Sequence, residues 1–190
     1  IMNKGKDMNK QIQAYTEVLD VVEKYPEEFK DDYEIQKIKD TLGLLKMQER
    51  FGIPLESCSS TQYYVKRSYD NWMRVALYGE GNRQVSYLDK GYEQPNNEWL
   101  YCICFTSGAY IFGDSYPAET FDAMWEELKS YEPKYVDTTN HCIYFTEDKA
   151  KTVYESFWSI LKKYQGLVKD ELLRKRKKEL KEELAKLNGC

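Results

Sequence analysis

The sequence lacks the signatures on which most catalytic and membrane-spanning proteins depend. It contains one histidine, His141, in 190 residues, and neither a phosphate-binding glycine loop nor a dinucleotide-binding glycine fingerprint. A nucleophile such as Cys142 needs a base within hydrogen-bond reach, but adjacent residues of a strand point to opposite faces. No apolar run approaches the roughly 18 residues of a membrane span, and the polar start has no signal-peptide core. We therefore expect a soluble intracellular protein without catalytic residues and without a membrane contact.

Cysteine is scarce and odd in number, which does not fit the paired bridges of a small secreted domain. Cys102 and Cys104 share one face of a predicted strand, and His141 and Cys142 could complete a zinc-ligand set of three sulfurs and one nitrogen. Their C-x-C spacing is not that of a zinc knuckle, and His141 and Cys142 face opposite ways. We therefore expect small buried thiols and neither a metal nor a cofactor. The cysteines are Cys58, Cys102, Cys104, Cys142 and Cys190.

The composition itself is that of a globular protein, with 42% hydrophobic residues, 32% charged residues and 17 tyrosines. A chain of this length is sufficient for one domain with a real core, or for one domain with an appendage. The residue patterns divide it into an N-terminal helical hairpin (1–55), an α+β core domain (56–161) and a basic extension of the C-terminal helix (162–190). The predicted fold class is α+β, with an antiparallel sheet of four to six strands and a helix packed on it.

Apolar residues recur at helical spacing in the first part of the chain. One stripe runs over 8–22 and ends before Pro26, because the residue before a proline avoids the helical conformation. A second stripe runs over 35–45, and Gly52 and Pro54 supply its stop signal. Two helices joined by a short acidic turn make a helical hairpin.

The period changes to that of strands in the middle of the chain. A turn signal at 79–82 and another at 107–108 separate segments that are rich in aromatic and β-branched residues. These segments predict an antiparallel meander of four or five strands, followed later by one more strand at 142–145. The meander segments are 63–69, 72–78, 83–88, 99–106 and 109–113.

Helical spacing returns in the last part. Pro117 begins a helix with apolar residues at i, i+3, i+4 and i+7, and Pro133 ends it. From Thr146, a suitable N-cap, the pattern is helical to about Leu187, with Gly166 as its weak point. Such a helix would approach about 60 Å at 1.5 Å per residue. Its second half must project from the domain or pack on residues 1–55, and we expect the packed arrangement.

The C-terminal helix is basic, whereas the rest of the chain is acidic. Residues 162–187 carry ten basic and five acidic side chains, although the whole chain has a net charge of −4. Such a density is compatible with contact to the phosphates of DNA or RNA. We favour a solvated, packed helix, because leucines recur every seven residues from Leu173 to Leu187. The same leucines would also permit a homodimer. The candidate nucleic-acid-binding residues are Arg174, Lys175, Arg176, Lys177, Lys178 and Lys181.

Acidic residues cluster around the turn of the predicted hairpin. A surface of carboxylates can imitate a phosphate backbone and occupy a basic channel in another protein. Ordinary solubility and pairing with the chain's own basic helix are the alternatives. The candidate partner-binding residues of this acidic patch are Glu27, Glu28, Asp31, Asp32 and Glu34.

The strand predicted at 63–69 combines tyrosines with basic residues. Its odd-numbered residues share one face and its even-numbered residues share the other. Tyrosine and arginine are over-represented at the centres of protein interfaces, and exposed tyrosines also stack on bases. The alternative is that one face packs under the helices. The candidate partner-binding residues are Tyr63, Tyr64, Lys66, Arg67 and Tyr69.

One arrangement of charged residues is typical of restriction-type nucleases. Asp137 precedes the last predicted strand, and Glu147, Asp148 and Lys149 follow it. In such an enzyme the carboxylates hold Mg²⁺ and the lysine positions a water. The alternative is that Glu147 and Asp148 are first-turn residues of the last helix, where acidic side chains are favoured.

The overall character of the chain is a Lys-, Glu- and Tyr-rich, histidine-poor composition with an acidic body and a basic helix. In this it resembles small accessory proteins of phages and prophages, and among them the anti-CRISPR inhibitors of Cas nucleases. The resemblance covers the whole chain by composition and layout, and it assigns no functional residue. It implies a non-enzymatic inhibitor in the bacterial host cytoplasm, which binds a Cas nuclease or its guide complex. A nucleic-acid-binding accessory protein using the basic helix and a metal-dependent nuclease are the alternatives.

Overall fold

A computed structural model describes residues 4–30, 32–59, 62–65, 73–78, 98–105, 112 and 116–188 of the chain. These described residues form four α-helices and six β-strands, and the α+β class with its N-terminal helical hairpin and long C-terminal helix is confirmed. The elements in chain order are α1 (Lys4–Val22), α2 (Tyr33–Phe51), β1 (Leu55–Ser59), β2 (Gln62–Val65), β3 (Met73–Tyr78), β4 (Glu98–Cys104), α3 (Ala118–Lys129), β5 (Tyr135–Asp137), β6 (Cys142–Phe145) and α4 (Glu147–Asn188).

The helical hairpin has clear local signals at both ends of α2. The Asp32 carboxylate accepts hydrogen bonds from the backbone N–H groups of Glu34 and Ile35, at 2.8 and 3.2 Å, and so acts as the N-cap. Gly52 follows the helix with a φ of 64°, a left-handed conformation that glycine adopts without steric cost. Among the described side chains of α1, Val22 is the only buried one. The first helix therefore lies at the periphery of the molecule.

The sheet is antiparallel throughout, with the strand order β1-β2-β3-β4-β6-β5. The predicted strands at 72–78, 99–106 and 142–145 are present as β3, β4 and β6. Two strands that the sequence did not predict, β1 and β5, form its edges. The predicted strand at 83–88 and the turn at 79–82 lie outside the described residues, as do 66–69 and most of 109–113.

One face of the sheet carries the main core. Side chains from β2, β3, β4 and β6 pack with α3, α4 and the C-terminal end of α2. Phe105 is central to this core, because its ring contacts those of Phe121, Trp125 and Phe157 at centroid distances of 5.9, 6.1 and 6.3 Å. Each fully buried side chain of this size stabilises the fold by about 1.5–3 kcal/mol. The core therefore locks α3 and the first half of α4 onto the sheet.

The opposite face buries a cluster of tyrosines and cysteines. Cys104 and Cys142 are register partners on β4 and β6 and form a disulfide, so the expectation of free thiols was wrong for this pair. The reason lies in the strand order, which places β6 directly beside β4 and brings the two Cα atoms to 4.1 Å. Cys102 is buried and free, as predicted, with its sulfur 3.3 Å from the Tyr78 hydroxyl.

The 42-residue helix α4 divides into two halves. Up to Val168 it buries one side chain every three or four residues, whereas every residue from Leu173 to Leu187 is exposed. Contacts between α2 and α4 lie at the start of α4, where Arg50 pairs with Glu147 and Gly52 lies against Lys151. The second half therefore projects, and the expected packing of the extension on residues 1–55 is not found among the described residues. Nor does any described helix have the length and apolar character needed to cross a membrane.

Candidate functional site

The acidic patch predicted around the hairpin turn separates into structural and unpaired carboxylates. Asp32 is the N-cap of α2, and Glu34 forms an ion pair with Lys37 at 3.0 Å. Glu27 and Glu28 are exposed, and neither forms an ion pair within the described part of the chain. Asp31 lies outside the described residues. Glu27 and Glu28 are thus exposed without an ion pair among the described residues, and the binding role of the patch stays a prediction.

The same region exposes apolar side chains that the sequence analysis did not single out. We define the hairpin tip as residues 17–34. Val21, Tyr25 and Tyr33 there are 51, 53 and 70% exposed, and Val18 lies one helical turn before Val21. A groove of about 560 Å³ between the two helices has Val22, Phe29 and Ile35 among its lining residues. The signal that could have revealed this surface is the spacing of 18, 21 and 25, which forms a second apolar stripe beside the predicted one.

The aromatic and basic surface predicted on the strand at 63–69 is not assembled by the described residues. Tyr63 lies on the core side of β2, where its ring packs 5.3 Å from that of Trp99. Its hydroxyl is so close to α2 that a Cβ on Gly43 would lie 3.1 Å from it. Partial burial also raises the pKa of the Tyr63 phenol. Tyr63 therefore makes packing contacts within the chain while remaining half-buried, and its assignment to a partner surface stays a prediction.

Tyr64 is on the other face of β2, as the alternation of the strand predicts. Its hydroxyl donates a hydrogen bond to the side-chain oxygen of Gln62 at 3.1 Å. Lys66, Arg67 and Tyr69 lie outside the described residues, so their assignment stays a prediction.

The six candidate nucleic-acid-binding residues of α4 are exposed, but four of them form ion pairs with acidic neighbours. We define the arm as residues 173–187. Arg174 and Lys175 approach Glu171 at 2.7 and 4.0 Å. Lys177 and Lys181 form no ion pair with any described residue. The remaining pairs of the predicted basic set are Arg176 with Glu179 and Glu183, at 3.2 and 4.0 Å, and Lys178 with Glu182 at 3.9 Å.

The arm also exposes the leucines that the sequence identified as a packing seam. Leu173, Leu180 and Leu184 are 50, 42 and 57% exposed, and Leu187 continues the stripe. Most helical stability in proteins comes from tertiary packing of an apolar face. The exposed leucines of the arm supply no such packing within this copy of the chain. A contiguous apolar stripe with a charged border is typical of a contact surface.

The four residues of the nuclease alternative do not converge. The buried Asp137 accepts hydrogen bonds from the N–H groups of Thr139 and Asn140, both at 3.0 Å, and so closes the β5–β6 turn. Glu147 pairs with Arg50 on α2, whereas Lys149 pairs with Glu132 at 2.7 Å, a contact that raises the lysine pKa. Asp148 accepts a hydrogen bond from Thr146. Each group thus has its own local partner.

The candidate zinc ligands do not come together, because Cys104 and Cys142 are joined in a disulfide and His141 lies in the turn before β6 with a φ of 49°. His141 lies on the core side, with its ring 5.3 and 5.6 Å from those of Phe121 and Trp125, whereas the cysteine cluster is on the opposite face. Among the residues that the structure describes, no group of three or more His, Cys, Asp or Glu side chains is arranged to hold a metal ion.

Comparison of the chain with protein families, with curated proteins and with solved structures gave no match. The physical character of the surface is therefore the basis for any functional assignment. Two surfaces stand out in the described structure. They are the acidic, partly apolar hairpin tip and the basic, leucine-bearing arm.

Proposed function

We propose that the chain is a non-enzymatic inhibitor of the anti-CRISPR type, which acts in the bacterial cytoplasm by binding a Cas nuclease or its guide complex. The observation that carries this proposal is the hairpin tip. There Glu27 and Glu28 are exposed without ion pairs in the described structure, beside the exposed rings of Tyr25 and Tyr33. Such a surface offers charge and apolar contact together.

The two kinds of residue would contribute differently to binding. Unpaired carboxylates are attracted to a channel lined with lysine and arginine, and they increase the association rate. Tyrosines and valines that become buried at the centre of an interface supply most of the affinity. Occupation of the channel by the hairpin tip would then block entry of DNA. The proposal therefore requires both the charge and the apolar side chains of the tip.

Charge reversal at the hairpin tip tests the proposal. We expect Glu27→Lys combined with Glu28→Lys to weaken inhibition of target-DNA cleavage by the host's Cas nuclease by at least about tenfold, because each carboxylate would become a repelling charge. The matched control is Asp122→Lys with Glu155→Lys, which makes the same change of net charge at two exposed positions on α3 and α4. Unchanged potency of the tip variant, or no inhibition by the unaltered chain, would contradict the proposal.

Direct binding of nucleic acid by the arm is a second candidate function. It is favoured by Lys177 and Lys181, which are exposed and lack ion pairs within the described structure. Binding through phosphates should weaken steeply as salt is added, since it releases counterions. A gel-shift titration with labelled DNA and RNA would show this slope, and Lys177→Glu with Lys181→Glu should reduce it. The absence of a shift at low salt would exclude the second candidate.

A further inference from the structure

The hairpin tip and the arm have opposite charge and both expose apolar side chains. Residues 17–34 carry eight acidic and two basic side chains, whereas residues 173–187 carry seven basic and three acidic ones. Val21 and Tyr25 on the tip and Leu180 and Leu184 on the arm are between 42 and 57% exposed. The two surfaces are therefore complementary in charge and alike in apolar character.

The described residues of the two surfaces are not joined within one copy of the chain. All described residues of the arm are exposed, and no ion pair between described residues joins residues 17–34 to the arm. Helix α2 contacts α4 through Arg50 and Glu147, at the first turn of α4 and far along the helix from the arm. A partner for each surface must come from another molecule.

Two arms do not pair well with each other. In the heptad pattern Leu173, Leu180 and Leu187 occupy one seam position, and Lys177 takes the other seam position together with Leu184. A parallel pair would place Arg176 beside Lys181 of the second copy, at the positions that set partner choice. An antiparallel pair would place Arg174 opposite Lys181, although it would also place Arg176 opposite Glu183. Like charges are destabilising at these positions, so an apolar surface bordered by carboxylates matches the arm better than a second arm does.

The hairpin tip of a second copy meets this requirement. Its carboxylates Glu27 and Glu28 can face the unpaired Lys177 and Lys181, while its groove, with Val22 and Phe29 in the lining, can take leucine side chains. We propose that the arm of one copy docks on the hairpin tip of a second copy. When the contact is reciprocal, it closes a two-fold symmetric dimer.

This inference goes beyond the proposed function, and it concerns the chain in the absence of any nuclease. The molar mass in solution is therefore the readout, measured by light scattering and by sedimentation. We expect the unaltered chain to form a dimer that dissociates as salt rises, because screening weakens the exposed charges. A chain that stays monomeric at low salt and high protein concentration would overturn the proposal.

Charge reversal on one surface at a time identifies the contact. An arm variant carries Lys177→Glu and Lys181→Glu, and a tip variant carries Glu27→Lys and Glu28→Lys. Each variant alone should dissociate with a dissociation constant at least about tenfold higher. Dimerisation should be unchanged in the control variant Asp122→Lys with Glu155→Lys. Since all these residues are exposed, far-ultraviolet circular dichroism should confirm that each variant keeps its helices.

Mixing the two variants gives the decisive result. The acidic arm of one then faces the basic tip of the other, and the basic arm faces the acidic tip, so both contacts are restored. An equimolar mixture should form a dimer, and one chain carrying all four substitutions should dimerise with itself. If the tip variant dimerises normally while the arm variant does not, the arms pair with each other and the proposal is wrong. If the mixture stays monomeric, the proposal is also wrong.

Discussion

The two halves of α4 share one continuous backbone helix but differ in what they bury. Seven side chains of the first half, between Ala150 and Val168, are buried, whereas none of the described side chains of the arm is buried. The first half is held by tertiary packing against the sheet and α3. The arm is held by the continuity of the helix and by i,i+3 and i,i+4 ion pairs such as Arg176 with Glu179.

The fold of one chain therefore does not explain the leucines of the arm. A buried residue such as Phe157 contributes to the free energy of unfolding through its contacts, so its presence needs no further reason. Leu184 contacts no core and is 57% exposed. Apolar side chains that recur along the arm without being buried indicate a binding surface. The packed half of α4 therefore contributes to stability, whereas the exposed leucines of the arm indicate a partner.

The largest expected effect separates the two halves directly. Phe157→Ala should lower the free energy of unfolding by about 3–5 kcal/mol, because it leaves a cavity among Phe105 and Trp158. Leu180→Ala should change it by no more than about 0.5 kcal/mol, because the side chain is 42% exposed and belongs to neither core cluster of the described residues. Denaturant unfolding followed by circular dichroism measures both values.

The measurement must be made at a protein concentration where the chain is monomeric, since a dimer would stabilise the folded arm. Under those conditions a loss of more than about 2 kcal/mol in Leu180→Ala would mean that the arm is packed within its own chain. The comparison between the two halves would then fail.

The helical part of the fold could be predicted because its signals are local. Apolar spacing, Gly52 and Pro117 mark the helices, and the structure places α2 and α3 accordingly. The edge strands could not be predicted in the same way. β1 contains a single buried residue, Leu55, and β5 is only three residues long, so neither is apolar enough or long enough to be recognised in the sequence. The Cys104–Cys142 disulfide depends on the pairing of β4 with β6, which no local pattern encodes.

The candidate surfaces were partly predictable for the same reason. Charge is a property of composition, so the acidic hairpin turn and the basic helix were visible in the sequence. The sequence did not show which of these residues lack a partner within the chain, because that depends on the neighbours of each side chain in the folded structure. Asp32 caps α2, and the Tyr63 hydroxyl lies close to Gly43 on the same helix. Glu27 is exposed, and no basic side chain among the described residues pairs with it.

A smaller effect concerns the ion pairs of the two halves. On the packed half, Glu127 of α3 accepts hydrogen bonds from Lys163 at 2.6 Å and from the Tyr164 hydroxyl at 2.7 Å. On the arm, Lys178 lies 3.9 Å from Glu182, within the same helix. The first contact links two elements of the tertiary structure, whereas the second forms as soon as the helix does. Only the first should couple protonation to global unfolding.

The pH dependence of stability tests this distinction. Hydrogen bonds from Lys163 and then from Tyr164 lower the pKa of Glu127 in the folded chain. A carboxylate with a lowered pKa stabilises the fold above its ordinary pKa, and that stabilisation is lost as the pH falls through the lowered value. The melting temperature of Glu127→Gln should therefore lie below that of the unaltered chain at neutral pH, and this difference in melting temperature should disappear as the solution becomes acidic.

Glu182→Gln is the matched control, whose melting temperature should follow that of the unaltered chain at every pH. A gap for Glu127→Gln that persists in acid would show that its carboxylate contributes through shape rather than charge, and an equal gap for Glu182→Gln would remove the distinction between the two halves of α4.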